Sequence, residues 1–316
     1  MTITFLPADS RRSQRLLAGT LRLALRSLVK PLFHPVTPVP LLRRGLRLSA
    51  LTTLTARGTE RMDVLLDGVP AEYLRAANSS VRHDQVLLYL HGGAYVVGSP
   101  GTHRAVTSHL ARASGAGVFA LDYRLATEHP FPAAQDDAVT AYQSLLAQGY
   151  APEQILIGGD SAGGGLALST ALRLRDSGLP APAGLILISP WADLTHPAAR
   201  RAQQPDDVML TWATLRHAAQ RYAPDQLQHP YVSPLLADLG GLPPTLIIGA
   251  TDEILDDDTA RLAAALAQAG VDAHTFIYQG MWHVFAVHAG VLAQADDAIR
   301  RMAAFIQRGE LCPTVS

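Results

Sequence analysis

The sequence is nearly without cysteine and has no long apolar run. Among its 316 residues the single cysteine is Cys312, in the C-terminal tail. One thiol cannot form an internal disulfide, and its place in the tail argues against a catalytic role. No apolar stretch reaches the roughly 18 to 20 residues that cross a bilayer, so we predict no transmembrane segment.

An excess of either charge is also absent. The chain has 26 Lys and Arg against 27 Asp and Glu, which gives no reason to expect a nucleic-acid partner. The apolar residues near the N-terminus lack the uninterrupted core of a secretory signal, because basic residues divide them throughout. We therefore expect a cytoplasmic protein. The dividing residues are Arg11, Arg12, Arg15, Arg22, Arg26 and Lys30.

Leucines stand among those basic residues at helical spacing and predict an amphipathic helix. Such a helix either contacts a lipid surface, as a membrane-surface or lid helix, or packs on the body of its own protein. The second case is commoner in soluble proteins, and we favour it. The proline-rich residues 31–40 predict extended chain, which would end the helix near Lys30. The leucines are Leu16, Leu17, Leu21, Leu25 and Leu28.

Beyond about residue 57, short apolar runs alternate with helical patterns, which predicts a β-α-β series and a mostly parallel sheet flanked by helices. Residues 60–78 predict a preceding hairpin around Asp67-Gly68. Residues 191–235 lack a strand pattern and are expected to be an insertion over the site. We predict one α/β domain spanning 1–316. The predicted strands are 86–90, 118–121, 155–157, 185–188, 246–248 and 275–278, and the predicted helices are 102–114, 133–148, 162–177, 258–269 and 290–308.

A nucleophile and an oxyanion hole are predicted after two of these strands. Ser161 lies in Gly-Asp-Ser-Ala-Gly between a strand and a helix, the context in which a tight turn presents a serine hydroxyl. After strand 86–90, Gly92 and Gly93 leave backbone N–H groups free to face a cavity. Together with the N–H of Ala162 they are predicted to hold an oxyanion. His91 is expected to order this loop by hydrogen bonding rather than to transfer protons.

A base and an acid for this serine are predicted later in the chain. His283 follows the last strand, in the order serine, acid, histidine that an α/β-hydrolase uses. The acid is expected where strand 246–248 ends, at Asp252 or Glu253, and composition does not choose between them. The neighbouring acidic residues are expected to cap the start of the next helix, where the helix dipole favours negative charge.

The motifs together resemble the hormone-sensitive-lipase-like family of bacterial esterases, over about residues 57–308. Aligning the acidic segment with this family favours Glu253 over Asp252 as the catalytic acid. Ala94 replaces a usual glycine of the oxyanion loop, and Val284 stands where glycine is frequent. The segments that carry the resemblance are HGGAY, YRLATEHPFPAA, GDSAGG, SPWADLT, YVSPL, LPPTLIIGATDEILDDD and GMWHVF.

The resemblance implies a carboxylic ester hydrolase of the α/β-hydrolase fold that acts on a short to medium acyl ester through an acyl-enzyme, with no cofactor and no metal. A cap is expected from about residues 1–50 and about 191–225, and the substrate pocket from Tyr95 and Trp212. Relatives often pair, so a homodimer is a further expectation. A lactone or amide hydrolase, an interfacial lipase and a non-catalytic ligand-binding protein stay open as alternatives.

Overall fold

The computed structural model describes residues 2–50, 53–77, 84–196 and 207–308, and in them nine strands form one sheet. The strand order is β1-β9-β8-β7-β6-β4-β5-β3-β2. All neighbours are parallel except β2 with β3 and β3 with β5. The strands are β1 Thr2–Leu6, β2 Thr59–Leu66, β3 Val69–Ala76, β4 Val86–Leu90, β5 Gly117–Leu121, β6 Ile155–Asp160, β7 Gly184–Ile188, β8 Thr245–Asp252 and β9 Ala273–Trp282.

Helices cover both faces of this sheet. Helices α3 and α8 pack on one face, and α4, α5 and α7 pack on the other. None of the helices in the described ranges is both long enough and apolar enough to cross a membrane. The helices are α1 Arg12–Ala24, α2 Val39–Ala50, α3 Pro100–Ser114, α4 Ala133–Ala147, α5 Ala162–Asp176, α6 Trp212–Tyr222, α7 Asp256–Gln268 and α8 Ala293–Arg308.

The central strands are apolar at every position because both of their faces are buried. In β6, Ile155 and Ile157 enter the core on one face of the sheet, while Leu156 enters the core on the other. Successive side chains of a strand point to opposite faces, so a strand between two helical layers has no polar side. The predicted fold class, an α/β-hydrolase with a mostly parallel sheet, is confirmed.

Two predictions for the N-terminus are wrong. Residues 31–40 are not extended throughout, because a 3₁₀ turn spans Lys30–Phe33 and α2 begins at Val39. Proline is tolerated in a first helical turn, where its missing N–H has no helical acceptor to lose. Residues 2–6, assigned to the cap, instead pair with β9 at the edge of the sheet. Part of the expected insertion, 197–206, and Cys312 lie outside the described residues.

Candidate active site

Ser161 lies in a strained turn between β6 and α5. Its φ of 53° is in a region that residues with a side chain rarely adopt, and strain of this kind gathers at functional sites. The turn is so tight that a Cβ on Gly159 or Gly163 would collide with the carbonyl oxygen of Leu90, so both positions require glycine. The Ser161 N–H donates to the carbonyl of Ile188 at 2.8 Å, which fixes the turn against β7.

His283 joins Ser161 to Glu253 by two hydrogen bonds. Its Nε2 lies 2.9 Å from Ser161 Oγ, and its Nδ1 lies 2.7 Å from Glu253 Oε2. A carboxylate only accepts hydrogen bonds, so Nδ1–H donates to Glu253, and neutral Nε2 accepts from the serine hydroxyl. The other oxygen of Glu253 accepts from the N–H of Ala250 at 3.0 Å. The three side chains are buried.

The surroundings of His283 favour its charged form. Burial alone would disfavour the imidazolium, but the hydrogen bond and charge of Glu253 outweigh it. The negative charges of Asp207 and Asp160 act in the same direction, and the pKa of His283 is raised. Such a histidine is able to receive a proton from Ser161 and to be stabilised once charged.

Asp252, the other candidate for the catalytic acid, is paired with residues other than His283. One of its oxygens lies 2.9 Å from the guanidinium of Arg22, and the other accepts from the hydroxyl of Thr251 at 2.7 Å. Arg22 also donates to the carbonyl of Gly280 at 2.7 Å. Asp252 therefore ties α1 to the sheet, and the carboxylate that meets His283 is that of Glu253.

The oxyanion prediction for Gly92 is wrong. Its N–H donates to Asp160 Oδ1 at 3.0 Å, so it is not free to hold a substrate oxygen. Gly93 and Ala94 line the cavity at Ser161, and within the described residues no acceptor meets their N–H groups or that of Ala162. Sequence reasoning missed Ala94 because it assigned the donors to the two glycines.

Asp160 and His103 form a buried ion pair beside the nucleophile, which sequence reasoning missed. His103 Nε2 lies 3.2 Å from Asp160 Oδ2, and Tyr89 donates to Oδ1 at 2.7 Å. Burial opposes both charges, but their mutual attraction outweighs it, so the pKa of His103 is raised and that of Asp160 is lowered. The only sequence signal was an acid immediately before the nucleophile.

His91 and Tyr123 stabilise the loop that contains Gly92 and Gly93. His91 Nδ1 hydrogen-bonds with the carbonyl of Gly92 at 2.8 Å, and Tyr123 donates to the carbonyl of His91 at 2.6 Å. Burial, with the charge of nearby His103, lowers the pKa of His91 to about 3. His91 is therefore neutral at ordinary pH and is placed to order the loop.

A largely apolar cavity of about 640 Å³ opens at Ser161 and His283. The expected pocket residues Tyr95 and Trp212 do not line it, which corrects that prediction. Tyr95 is buried because it stacks on Tyr222 of α6, with ring centroids 3.7 Å apart. Trp212 packs against His196 instead. The apolar lining includes Leu21, Leu25, Leu28, Leu32, Phe33, Leu41, Leu46, Leu48, Met209, Leu210, Leu215, Trp282, Val284 and Val287.

Val284, beside the histidine, is another strained residue in this cavity. Its φ of 53° is left-handed, a conformation that a β-branched residue seldom takes. Its N–H donates to the hydroxyl of Ser189 at 3.2 Å. The strain lies where the resemblance leads one to expect glycine.

Comparisons with known proteins agree with this architecture. The family model for the alpha/beta hydrolase fold matches residues 87–287, more than half of the chain. A solved esterase from the bacterial hormone-sensitive lipase family superposes with a TM-score of 0.85 at 36% identity, covering 96% of this chain and 99% of that one. The chain belongs to the hormone-sensitive-lipase-like family of bacterial esterases.

Two relatives in sequence have names that describe hydrolases. An acetyl-hydrolase of Streptomyces hygroscopicus is 44% identical over 239 residues, which are 75% of this chain and 79% of the relative. A carboxylesterase/phospholipase of Mycobacterium tuberculosis is 33% identical over 317 residues, covering 95% of this chain and 84% of the relative. The second match includes the N-terminal region that lines the cavity.

Proposed function

We propose that the protein hydrolyses carboxylic esters through an acyl-enzyme formed on Ser161. The observation that carries the proposal is the buried chain of hydrogen bonds from Ser161 through His283 to Glu253. A nucleophile, a base and a group that orients the base are the parts that such a reaction needs, and they are in contact here.

In the first half-reaction, Ser161 Oγ attacks the ester carbonyl while its proton passes to His283 Nε2. The Glu253 carboxylate stabilises the imidazolium that results. Backbone N–H groups hold the negative charge that develops on the carbonyl oxygen, and each such donor is commonly worth about 100- to 1000-fold in turnover. His283 then gives its proton to the departing alcohol as the tetrahedral species collapses. The proposed donors are the N–H groups of Gly93, Ala94 and Ala162.

The second half-reaction repeats these steps with water. His283 removes a proton from a water molecule, which attacks the acyl carbonyl, and then returns a proton to Ser161 Oγ. The carboxylic acid is released and the serine is restored. Every proton in the cycle moves through His283, so the protein's own side chains are sufficient for the chemistry.

The apolar lining of the cavity suits the acyl chain of an ester, and we propose that this chain is short to medium in length. The cavity walls are mainly leucine and other aliphatic side chains, whose contact with a hydrocarbon chain is favourable at roughly 0.8 kcal/mol for each buried CH₂. We propose that residues 10–50 and 207–222 together act as the cap over this cavity. Lys30 donates to the carbonyl of Asp207 at 2.6 Å, which links the two parts.

Hydrolysis of p-nitrophenyl esters over a range of acyl lengths tests the proposal. The wild type should be most active on short and medium chains, and Ser161→Ala should abolish turnover on all of them. Activity that survives in Ser161→Ala would mean that another group is the nucleophile. Turnover of lactones or anilides with no turnover of esters would move the assignment to those related substrates.

A further inference from the structure

The residues that cover the cavity carry an unusual share of the positive charge. Residues 10–50, here called the N-terminal segment, contain eight Arg and one Lys but no Asp or Glu. The whole chain has 26 basic against 27 acidic residues, so the remainder is net acidic. Charge asymmetry of this kind points to a negatively charged partner on that side of the molecule.

The helices of this segment are amphipathic but incompletely buried. Neither α1 nor α2 contains a fully buried residue. On α1, Leu21 faces the cavity, whereas Leu16 and Leu23 are 64% and 66% exposed. Leu16 and Leu23 are seven residues apart, so they share one side of the helix, opposite the cavity. Arg12 is exposed on that same side.

The mouth of the cavity is rimmed by exposed leucines from the same segment. Leu28, Leu41 and Leu48 line the cavity and are nevertheless 69%, 52% and 57% exposed. Of the eleven large hydrophobic side chains exposed in the described ranges, six lie in the N-terminal segment. Exposed apolar surface concentrated in one place marks an interaction site.

We propose that the N-terminal segment docks this protein on the surface of an anionic phospholipid bilayer through its exposed leucines and arginines. A helix with leucines on one side and arginines beside them lies in the plane of a membrane interface. Anionic headgroups add about fivefold in affinity for each Lys or Arg close to the surface. Arg22 and Arg43 are paired with acids of the protein. Exposed Arg12 and Arg15 instead lie beside the exposed leucines of α1 and face the headgroups in this arrangement.

A second copy of the chain would cover the leucines less well. An isologous contact places the same surface on both partners, so two segments that each carry nine basic and no acidic residues would face each other. Like charges brought together in this way are destabilising. An anionic lipid surface instead offers the opposite charge over the whole segment.

Vesicle partitioning tests the proposal. The wild type is sedimented with vesicles of phosphatidylcholine alone and with vesicles that also contain phosphatidylglycerol. We expect strong partitioning only with the anionic vesicles, weakened about fivefold for each arginine lost in Arg12→Gln/Arg15→Gln. Leu16→Ser/Leu23→Ser should weaken it about tenfold, since each leucine loses apolar contact with the lipid.

The matched control is Leu65→Ser/Leu236→Ser, which removes two exposed leucines outside the segment and should bind as the wild type does. Hydrolysis of a soluble acetate ester is measured on every variant as a control for folding. This activity should stay at the wild-type level, because none of the substituted residues lines the cavity. Equal, weak partitioning of an esterolytically active wild type to both vesicles would overturn docking. If light scattering shows a dimer that Leu16→Ser/Leu23→Ser dissociates, without vesicle binding, the face is an interface between copies and docking is overturned.

This inference is independent of the proposed function. Vesicle binding without any ester hydrolysis would retain the docking surface and overturn the enzymatic proposal. Ester hydrolysis without vesicle binding would do the reverse. The two readouts therefore fail separately.

Discussion

The guanidinium of Arg22 lies 2.9 Å from the carboxylate of Asp252. This ion pair joins the N-terminal helix α1 to the end of β8, one residue before the acid that meets His283. Two adjacent carboxylates thus have different partners: Asp252 pairs with an arginine of α1, and Glu253 pairs with the imidazole of His283. The two carboxylates should therefore differ in their importance for catalysis.

Glu253→Gln should reduce kcat by about 10³- to 10⁴-fold, because the amide no longer stabilises the imidazolium of His283 or fixes its tautomer. Asp252→Asn should change kcat by less than about threefold, since a partly exposed ion pair contributes little. Steady-state hydrolysis of a p-nitrophenyl ester measures both. A large loss in Asp252→Asn with near-normal activity in Glu253→Gln would reverse the assignment.

The pH dependence should report the raised pKa of His283. Protonated His283 is unable to accept the serine proton, so kcat/KM should rise with pH and level off above that pKa. Because the pKa is raised, the midpoint should lie above 6.5, the ordinary value for histidine. Since Glu253 is the main cause, Glu253→Gln should move the midpoint down. A midpoint below 6.5 in the wild type would contradict the electrostatic account.

The buried pair of Asp160 and His103 should be important for stability. Asp160→Ala should lower the free energy of unfolding by about 3–5 kcal/mol, because it leaves a buried histidine without its counter-charge. The double variant Asp160→Ala/His103→Ala removes both charges and should cost less than the sum of the two single changes. Urea unfolding of the four proteins measures this coupling. Additive costs would show that the two side chains do not interact.

The ion pair of Asp160 and His103 should stabilise the folded protein only over a limited range of pH. The raised pKa of His103 means that its contribution is present below about 6.5 and is lost as the pH rises through the folded-state value. The lowered pKa of Asp160 means that its contribution is present above about 3.8 and is lost as the pH falls through its folded-state value. The coupling measured by the double variant should therefore be largest in mildly acidic solution and decline toward alkaline pH.

Narrowing the cavity should shorten the preferred acyl chain. Met209→Trp adds a bulky ring to the cavity lining and replaces none of the three residues of the catalytic hydrogen-bond chain. Hydrolysis of an octanoate ester should fall about tenfold or more, while that of an acetate ester should stay within about threefold, because steric exclusion of a few methylenes is worth about 1–3 kcal/mol. An equal loss on both esters would indicate damage to the site rather than a change in its length.

Much of the sheet and of the site followed from local patterns. Strand β4 was predicted at its observed limits, because an apolar run bounded by polar residues specifies a buried strand. Ser161 was predicted as the nucleophile for a similar reason: strand, tight turn and helix are consecutive in sequence. The same holds for His283, which lies in a loop directly after the last strand.

What local patterns missed depends on contacts between distant segments. Strand β1 is short and half exposed, and its pairing with β9 joins residues more than 250 positions apart. The ion pair of Asp160 with His103 likewise forms only once the first turn of α3 meets the end of β6. The orientation of Tyr95 depends on stacking with Tyr222, which no spacing in the sequence reveals. Tertiary packing, rather than propensity, decides each of these.

The most direct test of the central claim is covalent trapping of the nucleophile. The wild type is treated with a fluorophosphonate, and the intact mass and the peptide that carries the label are determined by mass spectrometry. We expect one adduct per chain, on Ser161, with loss of ester hydrolysis in proportion to labelling, and no adduct in Ser161→Ala. Labelling of a different residue that abolishes activity, or full activity in the completely labelled protein, would contradict the account.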